Sequence, residues 1–212
     1  MSSTMLARRR LLLAGALFSL PFGAAHADDD FPRAVWSDLL GFATSMSLQI
    51  KSRADQIGSG LANAPADVVF TSVFGDGVAS PAERKRRTAA AARELALIAF
   101  RERTQLLPLI DAYIAAPSDE TWAPVKSAMR EVVVDLYVVD QRFARLSHDG
   151  AVAAAESLVE GKVQIILQQM QAGRPVSPQS LSAFRDFRFV FASLVTQKGR
   201  LAEQLALLAN AM

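Results

Sequence analysis

Residues 177–208 read SPQSLSAFRDFRFVFASLVTQKGRLAEQLALL, and the spacing inside this stretch decides the fold. Ser177 and Pro178 form a helix start: a hydroxyl that accepts from the open first-turn amides, then a proline whose missing N–H is not needed there. From Phe184 the pattern runs Phe184, Phe187, Phe191, Leu194, Lys198, Leu201, Leu205 and Leu208, in unbroken steps of three and four. A half-buried strand needs alternation at every second residue, which this stretch lacks. It predicts a long helix with one buried face. Because Phe184, Phe187 and Phe191 share that face, the aromatic and basic run from Phe184 to Phe191 reads as core and not as a nucleic-acid surface.

The same pattern extends back along the chain. A first helix opens at Asp30-Phe31-Pro32 and runs to about Leu61 on Trp36, Leu40, Ala43, Ser47, Ile50, Ala54, Ile57 and Leu61. A second opens at Ser80-Pro81-Ala82-Glu83, serine cap, proline and glutamate in the capping-box positions, and continues through Leu95, Ile98, Leu106, Leu109 and Ile110 to about Ala115. Pro108 removes a hydrogen bond to the Thr104 carbonyl and clashes with it, so a kink or break is expected there. A third helix follows Ala116-Pro117-Ser118. Either Ser118 caps it and Pro124 distorts its first turns, or Thr121 caps it and Pro124 sits in the first turn at no cost in hydrogen bonds. The β-branched run Val132–Val139 lies inside a longer helical pattern from Met129 to Leu146 and is read as helix, the most buried of the set. After a turn at His148-Asp149-Gly150, a fourth helix is expected on Val152, Ala155, Val159, Val163, Ile166 and Met170, ending at Gly173.

The expected fold is therefore all-α, an antiparallel bundle of four to five long helices. Residues 62–79 break the pattern, with Asn63, Pro65, Gly75, Asp76 and Gly77 around an apolar run that holds Phe70 and Phe74. This stretch reads as a crossover loop with an apolar plug: Phe70 and Phe74 cap the open end of the core, or they belong to a lid or docking element.

Residues 1–27 have the form of an export signal. Arg8, Arg9 and Arg10 make a positive start, about fourteen mostly apolar residues follow, and Ala25-His26-Ala27 is a small-x-small cleavage site before three aspartates. Arg8-Arg9-Arg10-Leu11-Leu12 is similar to the twin-arginine pattern, and a general secretory signal fits as well. The expected mature protein is one domain, residues 28–212, periplasmic or secreted, without a transmembrane anchor.

The pI of about 9.2 and the net charge of +2 describe the whole chain. The leader holds three of the 23 basic residues and none of the 21 acidic ones, leaving 20 against 21, a net charge of −1. A nucleic-acid partner loses its electrostatic basis. Without cysteine, the protein has no disulfide and must be held by its core, as a domain near this size can be.

Catalytic patterns are missing. No Glu-x-x-His pair supports a di-iron site, no Cys-x-x-Cys-His run attaches haem, and the one histidine beyond the leader, His148, sits in a turn. No metal or cofactor is expected. Paired carboxylates are the one catalytic class that needs no histidine, and Glu131 with Asp135, four apart, or Asp111 and Asp140 in apolar surroundings, are the candidates. Asp135 with Arg188 and Lys198 is the alternative, a buried charge network that would be structural or would line a pocket between helices. Arg84, Lys85, Arg86 and Arg87 form a basic run at a helix start, where cations oppose the helix dipole; neutral replacements there are expected to hold or raise stability. These four residues, with Phe70 and Phe74, are the candidate contacts for a partner, either another envelope protein or an anionic envelope surface. The expected function is binding, with a small-ligand bundle and a carboxylate-dependent hydrolase as the alternatives.

Overall fold

The computed structural model describes residues 30, 33–76, 80–146 and 173–212, with backbone alone over 33–38 and 132–145. Among these residues the chain forms five rods and no strand. They are α1 (Arg33–Leu61), α2 (Ala66–Phe74), a long composite rod of α3 (Pro81–Arg101), a π turn (Glu102–Leu106) and α4 (Leu107–Ala115), then α5 (Asp119–Leu146) and α6 (Pro178–Ala211). The expected all-α bundle is the observed fold. The export signal, the His148 turn and the helix expected over Val152–Met170 lie outside the described residues. No helix among the described residues is long and apolar enough to cross a membrane.

The bundle is organised around α6, which packs along α1 on one side and α3 on the other. Arg200 pairs with Asp55 at 2.7 Å and Gln204 lies against Gly58, so α1 and α6 run parallel. Arg188 pairs with Asp111 and Lys198 with Glu102, so the composite rod runs antiparallel to both. Every residue of the Phe184–Leu208 line is buried, and at roughly 1.5–3 kcal/mol for each large apolar side chain this line is the main source of cohesion. Near the start of α6, Phe184 meets Tyr113 and Trp122 edge-on and stacks on Phe187, while the Tyr113 hydroxyl donates to the Pro175 carbonyl. Ser177 and Ser80 both cap as expected, accepting from the amides of Ser180 and Glu83.

Three local expectations are corrected or resolved. The crossover is not an irregular loop, because Ala66–Phe74 is a nine-residue helix with Pro65 at its cap position. Ala66, Val69, Phe70, Val73 and Phe74 keep helical spacing, and Ala66, Val69, Phe70 and Phe74 are buried. Gly60 allows this helix to dock, since a Cβ there would come within 2.9 Å of Val69, and Gly75 ends it at φ 83°, a left-handed conformation natural to glycine. At α5, Ser118 is the cap: its hydroxyl accepts from the Thr121 amide, and Thr121 Oγ1 accepts in return from the Ser118 amide. Pro124 therefore lies inside the helix, on an exposed side. At Pro108 the rod neither breaks nor simply kinks. The preceding turn widens to π geometry, with the Leu107 amide bonding to the Glu102 carbonyl five residues back, which takes up the mismatch that the proline creates.

Candidate functional site

Within the π turn sits Glu102, and its partner is Lys198 on α6. The two side chains form an ion pair of 2.5 Å, with side-chain exposures of 1% and 0%. Lys198 also lies over the Phe191 ring, 5.8 Å from its centre. Burial pushes the Glu102 carboxyl up and the Lys198 ammonium down, and each partner's charge opposes the other's shift. Glu102 Oε2 has no hydrogen-bond partner. The pair is a costly, desolvated element that spans the rod and α6 at the widened turn.

The acids and bases singled out from the sequence are arranged differently from the expected network. Arg188 forms a two-pronged pair with Asp111, both bonds 2.8 Å, on the partly exposed flank of α4 and α6. Lys198 takes Glu102. The Asp135 and Asp140 side chains lie outside the described residues, and Glu131 is exposed. Asp111 thus faces a guanidinium and not a second carboxylate. No group of three or more His, Cys, Asp or Glu side chains converges among the described residues.

The basic run is largely engaged within the molecule. Arg86 grips Glu83 through Nε and Nη2, both at 2.8 Å, and Arg87 Nε reaches the same carboxylate at 2.7 Å. These bonds hold the Glu83 carboxyl down at about 2. Arg84 lies over the Phe70 ring at 5.4 Å and donates to Thr71 Oγ1 at 3.5 Å, tying α3 to α2. Phe70 and Phe74 are buried, with ring centres 5.2 Å apart, and so belong to the core instead of offering an exposed contact surface. The expectation that neutral replacements hold or raise stability is therefore revised for Arg84. Arg84→Ala should cost about 1 kcal/mol through the lost ring contact, whereas Lys85→Ala, at an exposed position, should stay within about 0.5 kcal/mol. Urea denaturation of the two variants measures both, and equal stabilities would remove the structural role given to Arg84.

A surface that the sequence reading did not single out lies between α3 and α6. It is an open groove of about 500 Å³. On α3 the small residues Ala89, Ala92, Ala96 and Ala99 line it, and on α6 Gly199, Ala202, Ala206 and Ala209 face them, again in steps of three and four. Ala92, Ala99, Ala202 and Ala209 are the buried floor. Phe100 stands at the edge with 64% of its surface exposed, and Leu97 and Leu207 are exposed at 65% and 54% on the same two helices. Arg93, Arg103 and Glu203 supply the charge, and all three are exposed. The signal was legible as a second, alanine-rich stripe beside the core stripe of each helix, but alanine is too common in helices for its spacing to mark a surface. The register follows from the pairs already described: Glu102 is level with Lys198, and Arg103 lies over Gly199.

Comparison of the chain with protein-family models, with curated proteins and with solved structures finds no match.

Proposed function

We propose that this is an exported, periplasmic or secreted bundle protein that acts by binding another protein and not by catalysis, with the α3–α6 groove as its contact surface. The observation that carries this reading is the groove's combination of an alanine floor, the exposed Phe100 ring at its edge and exposed charges of both signs. Apolar surface gathered in a concave site and rimmed by polar residues marks an interaction site, whereas singly scattered apolar residues do not. The groove also favours a protein over an anionic envelope surface, because its walls carry Glu203 beside the arginines, and because three of the four residues of the basic run, Arg84, Arg86 and Arg87, are engaged by Phe70, Thr71 and Glu83.

The interior supports the same choice. Water reaches no part of Lys198, so this residue borders no cavity that a small ligand enters. The Asp111–Arg188 pair leaves that acid without the second carboxylate a glycosidase-type reaction requires. Export rests on the leader pattern of Arg8–Arg10, the apolar run and Ala25-His26-Ala27.

A photoreactive phenylalanine analogue placed at Phe100 should give a protein cross-link in cells, and the same analogue at Leu48, 63% exposed on α1, should not. Absence of any cross-link at Phe100, or equal cross-linking at both positions, would count against the groove as the binding surface.

A further inference from the structure

We propose that the occupant of the α3–α6 groove is a second copy of this chain, in a two-fold dimer; this inference rests on the binding reading above and names its partner. The first argument is charge. Arg93 is on α3, Arg103 is on the π turn that continues it, and Glu203 is on α6, all exposed on one face, so the surface carries both halves of an ion-pair set. A two-fold contact presents the same patch from both sides and requires that patch to be self-complementary.

The helix register selects one arrangement. Because Glu102 is level with Lys198 and Asp111 with Arg188, residue n of the composite rod lies beside the α6 residue whose number is close to 300 minus n. Glu203 is thereby level with Leu97, between Arg93 and Arg103, about 6–9 Å along the axis from each at 1.5 Å per residue. With the two-fold axis along the groove, α3 of each copy lies over α6 of the other. Glu203 of one copy then falls between Arg93 and Arg103 of its partner, within reach of both long side chains. With the axis across the groove, Arg93 would meet Arg103 and Glu203 would meet Glu203, like charge against like charge. Only the first arrangement is electrostatically complementary.

The second argument is shape. In the same arrangement Phe100, level with the stretch from Gly199 to Ala202, lies over those small residues of the partner. The groove that lacks a side chain and the side chain that lacks a groove meet each other twice. The face of two helices, each about 10 Å wide, over the 21 residues of α3, about 30 Å long, offers about 600 Å² per copy. About 1,200 Å² in total is the lower bound of specific interfaces, so a concentration-dependent dimer is expected and not a permanent one.

The test uses the purified protein and two charge variants, with sedimentation velocity over a range of concentrations as the measurement. The parent should shift from monomer to dimer as concentration rises. Glu203→Arg makes the face wholly basic, and Arg93→Glu with Arg103→Glu makes it wholly acidic. Each variant alone should dimerise at least about tenfold more weakly than the parent, and an equimolar mixture of the two should form a heterodimer. All substitutions are at exposed positions, and unchanged far-ultraviolet circular dichroism checks the fold. A parent that stays monomeric throughout, or a mixture that fails to associate, overturns the dimer. The cross-linking at Phe100 separates that result from a failure of the binding reading. A cross-linked species of twice the chain mass supports the second copy, a species of another mass keeps the groove as a binding surface but rejects self-association, and no species rejects both.

Discussion

Lys198→Met should destabilise the folded protein by about 3–5 kcal/mol, and so should Glu102→Leu, because each leaves a buried charge without its partner. The double variant Glu102→Leu with Lys198→Met should recover most or all of that loss, since apolar replacement of a whole buried pair is often neutral or stabilising. With side-chain exposures of 1% and 0%, neither group has water to fall back on. Urea denaturation of the parent, both single variants and the double variant closes the cycle. Single variants that lose less than about 1 kcal/mol would mean that the site relaxes and that the pair is not the desolvated element described here.

The pH dependence of the two single variants separates them further, and its sign follows from the direction of each shift. Glu102 is raised above the ordinary value of 4.5 by burial, and losing Lys198 removes the charge that opposes this rise. A raised acid binds more protons folded than unfolded, so stability falls as pH climbs above about 4.5. The Lys198→Met deficit should therefore be smallest near pH 4 and grow toward neutrality. Lys198 is lowered below 10.5 by burial, and losing Glu102 lowers it more. The unfolded chain then binds more protons below that value, so stability rises with pH, and the Glu102→Leu deficit should shrink toward pH 10. Parallel pH profiles for the two variants would contradict the assignment.

Lys198 was legible in the sequence and Glu102 was overlooked, although both carry the same signal. Lys198 breaks the core line between Leu194 and Leu201. Glu102 breaks the line Leu95, Ile98, Leu106 at the step where an apolar residue is due. Either charge on its own core line announces a buried partner, but helical spacing does not say which helix supplies it. The pairing is set by the register of the composite rod against α6, which depends on packing of the whole bundle, and so the pattern alone offered Asp135 and not Glu102 as the partner. The π turn has the same origin: Pro108 predicts a disturbance, while the choice of a widened turn over a kink depends on how Glu102 and Leu106 are held in the core. Helix starts were the most legible feature, because Ser80-Pro81 and Ser177-Pro178 act locally. The α3–α6 groove was the least, since it is a property of two helices side by side.

Phe70→Ala should cost about 3–5 kcal/mol, the range for emptying a buried aromatic site. Its ring is fully buried, packed against Phe74 at 5.2 Å and covered by Arg84 at 5.4 Å. The contrast that makes the result decisive is Val68, two residues earlier on the same short helix and 57% exposed. Val68→Ala should stay within about 0.5 kcal/mol, as surface substitutions do. A docking or lid element predicts the reverse ranking: Phe70 would be dispensable for folding and needed only for a partner, and α2 would open without cost to the rest of the bundle. The coupling to α3 gives a second readout. Arg84 touches both the Phe70 ring and Thr71, so the effects of Arg84→Ala and Phe70→Ala should be less than additive, with the arginine contributing little once the ring is gone. Full additivity, or a Phe70→Ala loss no larger than that of Val68→Ala, would return this helix from the core to the surface.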